Sequence, residues 1–129
     1  MGMTTEQNPH HHCPTEATLA VIGGRWKVPI LWNLLPGVCR FGELSRKLAG
    51  VTQKMLTQQL RELEADGLVH RKVYPEVPPR VEYSLTDLGK SLQPVIASLS
   101  DWGQTYLAAR PKHTNAKSGV PANAFPRKG

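Results

Sequence analysis

Only Ala49-Gly50-Val51 separates two amphipathic segments, and this spacing constrains the chain more than any other feature. Phe41, Leu44 and Leu48 line a short segment before the gap. Leu56, Leu60 and Leu63 recur at helical spacing after it. Gly50 ends the first helix. Thr52 is a good N-cap for the second, which ends at Gly67. A short helix, a tight turn with Gly and a longer helix make a helix-turn-helix unit. Strand-like runs at 68–74 and 80–85 follow, separated by Pro75-Glu76-Val77-Pro78-Pro79. Proline cannot continue a central strand, so this segment is the tip of a hairpin. The fold class expected is α+β, mainly helical: a winged helix-turn-helix with extra helices at both ends.

The flanking helices follow from the same signals. A first helix starts at Cys13-Pro14-Thr15-Glu16, where proline and an acid suit the first turn. Leu19 and Ile22 give it an apolar face, and Gly23-Gly24 breaks it. A second runs over 25–35 on Trp26, Ile30, Leu31 and Leu34, with Pro29 in its first turn or at a kink. Pro36-Gly37 stops it. Cys39-Arg40-Phe41 is expected as a short strand. Thr86 caps a last helix, which Pro94 should bend. Leu88, Leu92, Val95, Leu99, Trp102 and Tyr106 alternate steps of four and three along it, a coiled-coil-like seam that calls for a partner. Leu19, Leu92, Val95, Leu99, Trp102 and Tyr106 are the candidate dimerisation residues.

The 129 residues suffice for one domain with a modest core. It is expected over 13–109, between a flexible N-terminus (1–12) and a basic, disordered tail (110–129). No apolar run is long enough to span a membrane, and no apolar signal core precedes Cys13, so the cytoplasm is the expected compartment. The formal charge is +6, yet up to Ala109 there are 11 Lys/Arg against 10 Asp/Glu, so most of the excess lies in the tail. A tighter clue is the stretch from Arg40 to Arg61, with five basic residues and one acid, Glu43. Basic clusters point to nucleic acid.

The face of the Thr52-capped helix opposite its leucines presents Gln53, Lys54, Thr57, Gln58 and Arg61. Arg pairs with guanine, Gln with adenine, and the Thr methyl with the thymine methyl. Glu62, Glu64 and Asp66 crowd the far end, where phosphates would repel them. The N-terminal half should therefore enter a major groove of double-stranded DNA. Thr52, Gln53, Lys54, Thr57, Gln58 and Arg61 are the candidate reading residues. The wing's Arg71, Lys72 and Arg80 are candidate backbone or minor-groove contacts, and Arg40, Arg46 and Lys47 are also in reach of phosphates. The bland reading of this helix is a solvated amphipathic face of mixed charge, and the competing function for the chain is a winged-helix module for protein–protein contact without operator binding.

Cys13 and Cys39 are too few for a disulfide framework and read as free thiols. A sulfur capping the first helix would face the unpaired N–H groups of its first turn, which favour thiolate. Cys13 is the redox-sensing candidate, for peroxide, hypochlorous acid, quinones or disulfides. Cys39, beside Phe41, is expected to be buried. No Cys/His cluster has zinc-ligand spacing, and His10-His11-His12 reads as a leader remnant, so no metal or cofactor is expected. There is no nucleophile–base pair and no Gly-rich phosphate loop, so an enzyme is not expected.

Several motifs in one order resemble the HxlR-type regulators: Cys13-Pro14, Ile22-Gly23-Gly24-Arg25-Trp26, Ile30-Leu31, Arg40-Phe41-Gly42-Glu43-Leu44, the run Lys54 to Glu64, Gly67-Leu68-Val69, Pro78-Pro79-Arg80-Val81-Glu82-Tyr83, Leu85-Thr86 and Gly89. The resemblance covers Cys13 to Ala108. It implies a winged-helix homodimer, joined by its first and last helices, that regulates transcription, more often as repressor than activator, from a pseudo-palindromic operator. It also implies oxidant or electrophile sensing through Cys13 in several members. Arg25 stands where lysine is commoner, and Cys39 lies outside the usual pattern.

Overall fold

The computed structural model describes residues 13–110; the triplet His10-His11-His12 and the basic segment after Arg110 lie outside them. The helices and strands come in the order α1 (Pro14–Ile22), α2 (Lys27–Leu34), β1 (Cys39–Arg40), α3 (Phe41–Lys47), α4 (Gln53–Ala65), β2 (Val69–Tyr74), β3 (Arg80–Leu85), α5 (Asp87–Lys90) and α6 (Gln93–Ala109). This is a winged helix-turn-helix, with α3 and α4 as the helix pair and β2–β3 as the wing.

Local chemistry sets most boundaries. Pro14 opens α1, where its missing N–H costs nothing. Pro29 sits in the first turn of α2 for the same reason. Gly50 takes φ +91° in the turn before α4, a left-handed conformation that glycine adopts without steric cost. Thr52 Oγ1 then accepts the Met55 N–H at 3.1 Å, capping α4 as its sequence position predicts.

α2 runs through the middle. It packs against α3, α4, α6 and β3, and Ile30, Leu31 and Leu34 are buried on it. α4 adds Leu56, Leu60 and Leu63, α3 adds Leu44, and the hairpin adds Val69, Tyr83 and Leu85 to the same core. Cys39 is buried there too, as expected. β1 joins the wing as a third strand in the order β1-β3-β2, pairing antiparallel with β3 through Cys39↔Tyr83 and Arg40↔Glu82. That pairing ties the wing to the start of α3.

The C-terminal helix departs from the sequence expectation. It is not one bent rod. The Thr86-capped segment is a single short helix, α5, and the chain restarts at Leu92. Pro94 lies in the first turn of α6, where it needs no N–H partner, so it begins a helix rather than kinking one. This restart also alters the apolar seam. Leu92 is part-buried against the core, and Ile96, outside the expected alternation, is the residue of α6 that is fully buried.

Candidate nucleic-acid interface

Helix α4 divides cleanly into two faces. Leu56, Leu60 and Leu63 are at most 1% exposed. Gln53, Lys54, Gln58 and Arg61 are exposed and Thr57 is half-buried. Together with Glu62, these five line one open depression on the outer surface. The residues expected to read bases therefore stand side by side, as 3.6-residue periodicity requires when the leucines face inward. Thr52 is also exposed, with its hydroxyl oxygen engaged in the cap.

Glu62 behaves differently from a free acid. Its Oε1 takes Lys27 Nζ at 2.7 Å, and its Oε2 accepts Gln58 Nε2 at 3.3 Å. The Lys27 ammonium, then the Gln58 amide, hold the Glu62 carboxyl below the usual carboxylate range. Lys27 is rooted in the first turn of α2 with a side chain only 10% exposed. Sequence reasoning did not single it out. The signal was present: Lys27 falls on the Leu31–Leu34 stripe of α2, and a lysine on a buried stripe needs a carboxylate.

The wing carries two kinds of basic residue. Arg71 and Lys72 are exposed on β2. Arg80 is engaged within the wing instead: its guanidinium lies 3.9 Å from the Tyr74 ring centroid and pairs with Glu76 at 3.3 Å and Glu82 at 3.8 Å. These contacts brace the hairpin. Lys72 also lies over Tyr74, at 5.0 Å. Arg40 is exposed at the N-cap of α3, where its backbone N–H donates to Glu43 Oε1 at 2.7 Å.

A second surface is apolar. Leu19 on α1 and Val95, Leu99, Trp102, Tyr106 and Leu107 on α6 are exposed large hydrophobic residues. The Trp102 and Tyr106 rings stack at 5.5 Å, with Trp102 at 65% exposure. Five of the six expected dimerisation residues are thus on the surface, and Leu92 is the one turned inward. Cys13 is the N-cap residue of α1, partly exposed and without a side-chain cap hydrogen bond. Cys39 is different: burial pushes its thiol up, against an opposing pull from Lys47. No group of three or more potential metal ligands occurs among the described residues, and none of their helices is long and apolar enough to cross a membrane.

A winged helix-turn-helix with an exposed polar face on its second helix is the architecture of the helix-turn-helix transcriptional regulators, and known proteins narrow it further. The HxlR-like helix-turn-helix model matches residues 21–111, and the chain belongs to that family. It is 49% identical over 106 residues to the HTH-type transcriptional regulator YdeP of Bacillus subtilis, covering 82% of this chain and 83% of that one. Among solved structures it resembles the redox regulator HypR in its reduced form (51% identity, TM-score 0.70, 73% of this chain and 93% of that one). It also resembles the reduced form of the transcriptional regulator YodB from B. subtilis (35% identity, TM-score 0.67, 77% and 98%). The protein is a transcriptional regulator of the helix-turn-helix type, in a family of regulators rather than enzymes.

Proposed function

We propose that this regulator binds a pseudo-palindromic DNA operator as a homodimer and acts as a repressor. One observation carries the reading: Gln53, Lys54, Thr57, Gln58 and Arg61 share the outer face of α4, opposite its buried leucines. Those side chains supply the donors and acceptors that major-groove edges require. Arg71 and Lys72 on the wing and Arg40 at the start of α3 would contact the backbone, fixing register more than sequence. The exposed apolar residues of α1 and α6 support the dimer, since a patch of that kind marks an interaction surface. Two-fold symmetry then places the two α4 helices on half-sites about one helical turn apart, or a multiple of it.

The signal we propose is an oxidant or electrophile acting at Cys13. Its partial exposure and its place at the α1 N-terminus support this, as do the redox regulator HypR and a YodB structure described as diamide-treated. Cys13 lies six residues before Leu19 on the helix proposed for the dimer contact, so modification there would act on the spacing of the two heads.

Selection from a random DNA pool, followed by titration of the selected site at rising salt, tests the reading. A pseudo-palindromic consensus whose affinity falls steeply with salt is expected. Failure to enrich any sequence, with affinity indifferent to salt, would leave a protein–protein module instead.

A further inference from the structure

The three-residue chain Lys27–Glu62–Gln58 joins the buried base of the domain to the middle of the reading face. Gln58 Nε2 lies 3.3 Å from Glu62 Oε2. A carboxylate only accepts hydrogen bonds, so the amino end of the Gln58 amide must face Glu62. Glu62 is itself held at its other oxygen by Lys27 Nζ at 2.7 Å, a charge-assisted bond from a nearly buried lysine. Lys27 cannot follow the amide outward, because its stem packs in the first turn of α2 among core residues. Lys27 therefore anchors one oxygen of the carboxylate, and the Gln58 amide donates to the other.

That bond changes what Gln58 can read. A primary amide has two N–H groups and one carbonyl oxygen. When Glu62 takes one N–H, the other N–H and the carbonyl remain for a base. That donor–acceptor pair matches the major-groove edge of adenine, an N7 acceptor beside an N6 donor. Guanine offers two acceptors there, N7 and O6, and would set its O6 against the amide carbonyl. A free glutamine can turn over to suit either base; one that donates to a carboxylate gives up that bond and sets oxygen against oxygen when it turns. The same ion pair explains how an acid survives on the reading face, since Lys27 offsets the charge that Glu62 would bring near phosphates.

We propose that Gln58 is the adenine-reading residue of this protein, and that Lys27 and Glu62 are positioning residues that fix its amide. The inference rests on the DNA-binding reading above and goes beyond it by naming a base and the residues that select it.

Random-pool selection with the full chain tests both together. Wild type should enrich adenine at one position of each half-site, roughly ten-fold or more over other bases. Gln58→Ala should flatten that position and leave the others unchanged. The double variant K27M/E62L replaces the ion pair with apolar groups and should weaken the adenine preference while the remaining consensus persists. K27R keeps the charge and should keep the preference. A general loss of packing would lower affinity at every position alike, so a change confined to one position separates positioning from fold. Should K27M/E62L fail to fold in a thermal melt, E62Q serves: its amide can donate as well as accept, so Gln58 turns over and guanine should gain at that position. The proposal is overturned if wild type selects a consensus that Gln58→Ala leaves intact, or if the position it flattens is not adenine. It is equally overturned if folded K27M/E62L, or E62Q in its place, retains the full adenine preference. If wild type enriches no sequence, the DNA-binding reading fails and this one falls with it.

Discussion

Gly89 lies so close to the backbone of Leu68 that a Cβ built on it would collide with the Leu68 carbonyl oxygen. This approach pins α5 to the junction between α4 and β2. It is reinforced from both sides: the Thr86 N–H donates to the Leu68 carbonyl at 3.1 Å, and Thr86 Oγ1 donates to the Gly67 carbonyl at 2.6 Å. The end of α4, the start of the wing and the start of the C-terminal segment thus meet at one point.

Gly89→Ala should therefore destabilise the domain by roughly 1–3 kcal/mol, the usual cost of forcing extra volume into a packed site. The clash is with backbone, which cannot rotate out of the way as a side-chain tip could. The control is Gly103→Ala: nothing lies within 4 Å of a Cβ built there on α6. A glycine inside a helix weakens it relative to alanine, so that change should be neutral or stabilising. Urea midpoints of the two variants check the contrast, and equal midpoints would remove the role given to Gly89.

Val95, Leu99, Trp102 and Tyr106 stand at steps of four, three and four on α6, each at least 38% exposed. Placing a charge in this stripe should break the proposed dimer with little harm to the domain, because Ile96 is the residue of α6 buried in the core. Leu99→Glu should give a monomer by light scattering at concentrations where the wild type is a dimer. A monomer presents one α4 instead of two, so its operator affinity should fall sharply while its far-ultraviolet circular dichroism stays the same. Ile96→Ala is the converse, expected to cost roughly 2–5 kcal/mol of stability without selective loss of the dimer.

The Lys27–Glu62 pair also has a pH signature. The Glu62 carboxyl is held low in the folded protein, first by the Lys27 hydrogen bond. A carboxyl lowered on folding contributes stability above its unfolded value, and that contribution disappears as pH falls through the lowered folded value. Lys27→Met removes the largest cause. Compared between about pH 7 and about pH 3, wild type should lose more stability than Lys27→Met. Parallel profiles in the two proteins would mean that the pair contributes nothing to folding.

Much of this architecture is legible in residue spacing. The Leu56–Leu60–Leu63 stripe fixes which side of α4 faces inward, and so places Gln53, Lys54, Thr57, Gln58 and Arg61 on the outside before any coordinates are known. Thr52 and Gly50 mark the turn by local chemistry, which is why they appear where expected. What spacing leaves open depends on something periodicity does not carry. Pro94 fits equally well as a kink or as a first-turn residue, and only the restart at Leu92 decides it. Arg80 reads as a free cation in one dimension, but strand pairing sets Arg80 opposite Tyr74, and Glu82 and Glu76 close around it. Lys27 and Glu62 are 35 positions apart in the chain, so neither pattern nor propensity connects them. Long-range polar pairing is the part of the site that needed three dimensions.

The two cysteines should separate by reactivity. Cys39 is 4% exposed, donates weakly to the Asn33 carbonyl at 3.7 Å, and has its thiol pushed up by burial, so little thiolate forms near neutral pH. Lys47 Nζ at 4.0 Å pulls the other way without reversing the shift. Cys13 is partly exposed at the start of α1. Iodoacetamide at neutral pH should label Cys13 first, with Cys39 slower by roughly ten-fold or more, as burial and thiolate fraction dictate. Mass mapping of the labelled chain over time reads this directly. If Cys13 is the sensor, diamide should change operator binding in wild type and in Cys39→Ser but leave Cys13→Ser unaffected. A Cys13→Ser protein that still responds, or a Cys39 that labels as fast as Cys13, would move the sensor away from the start of α1.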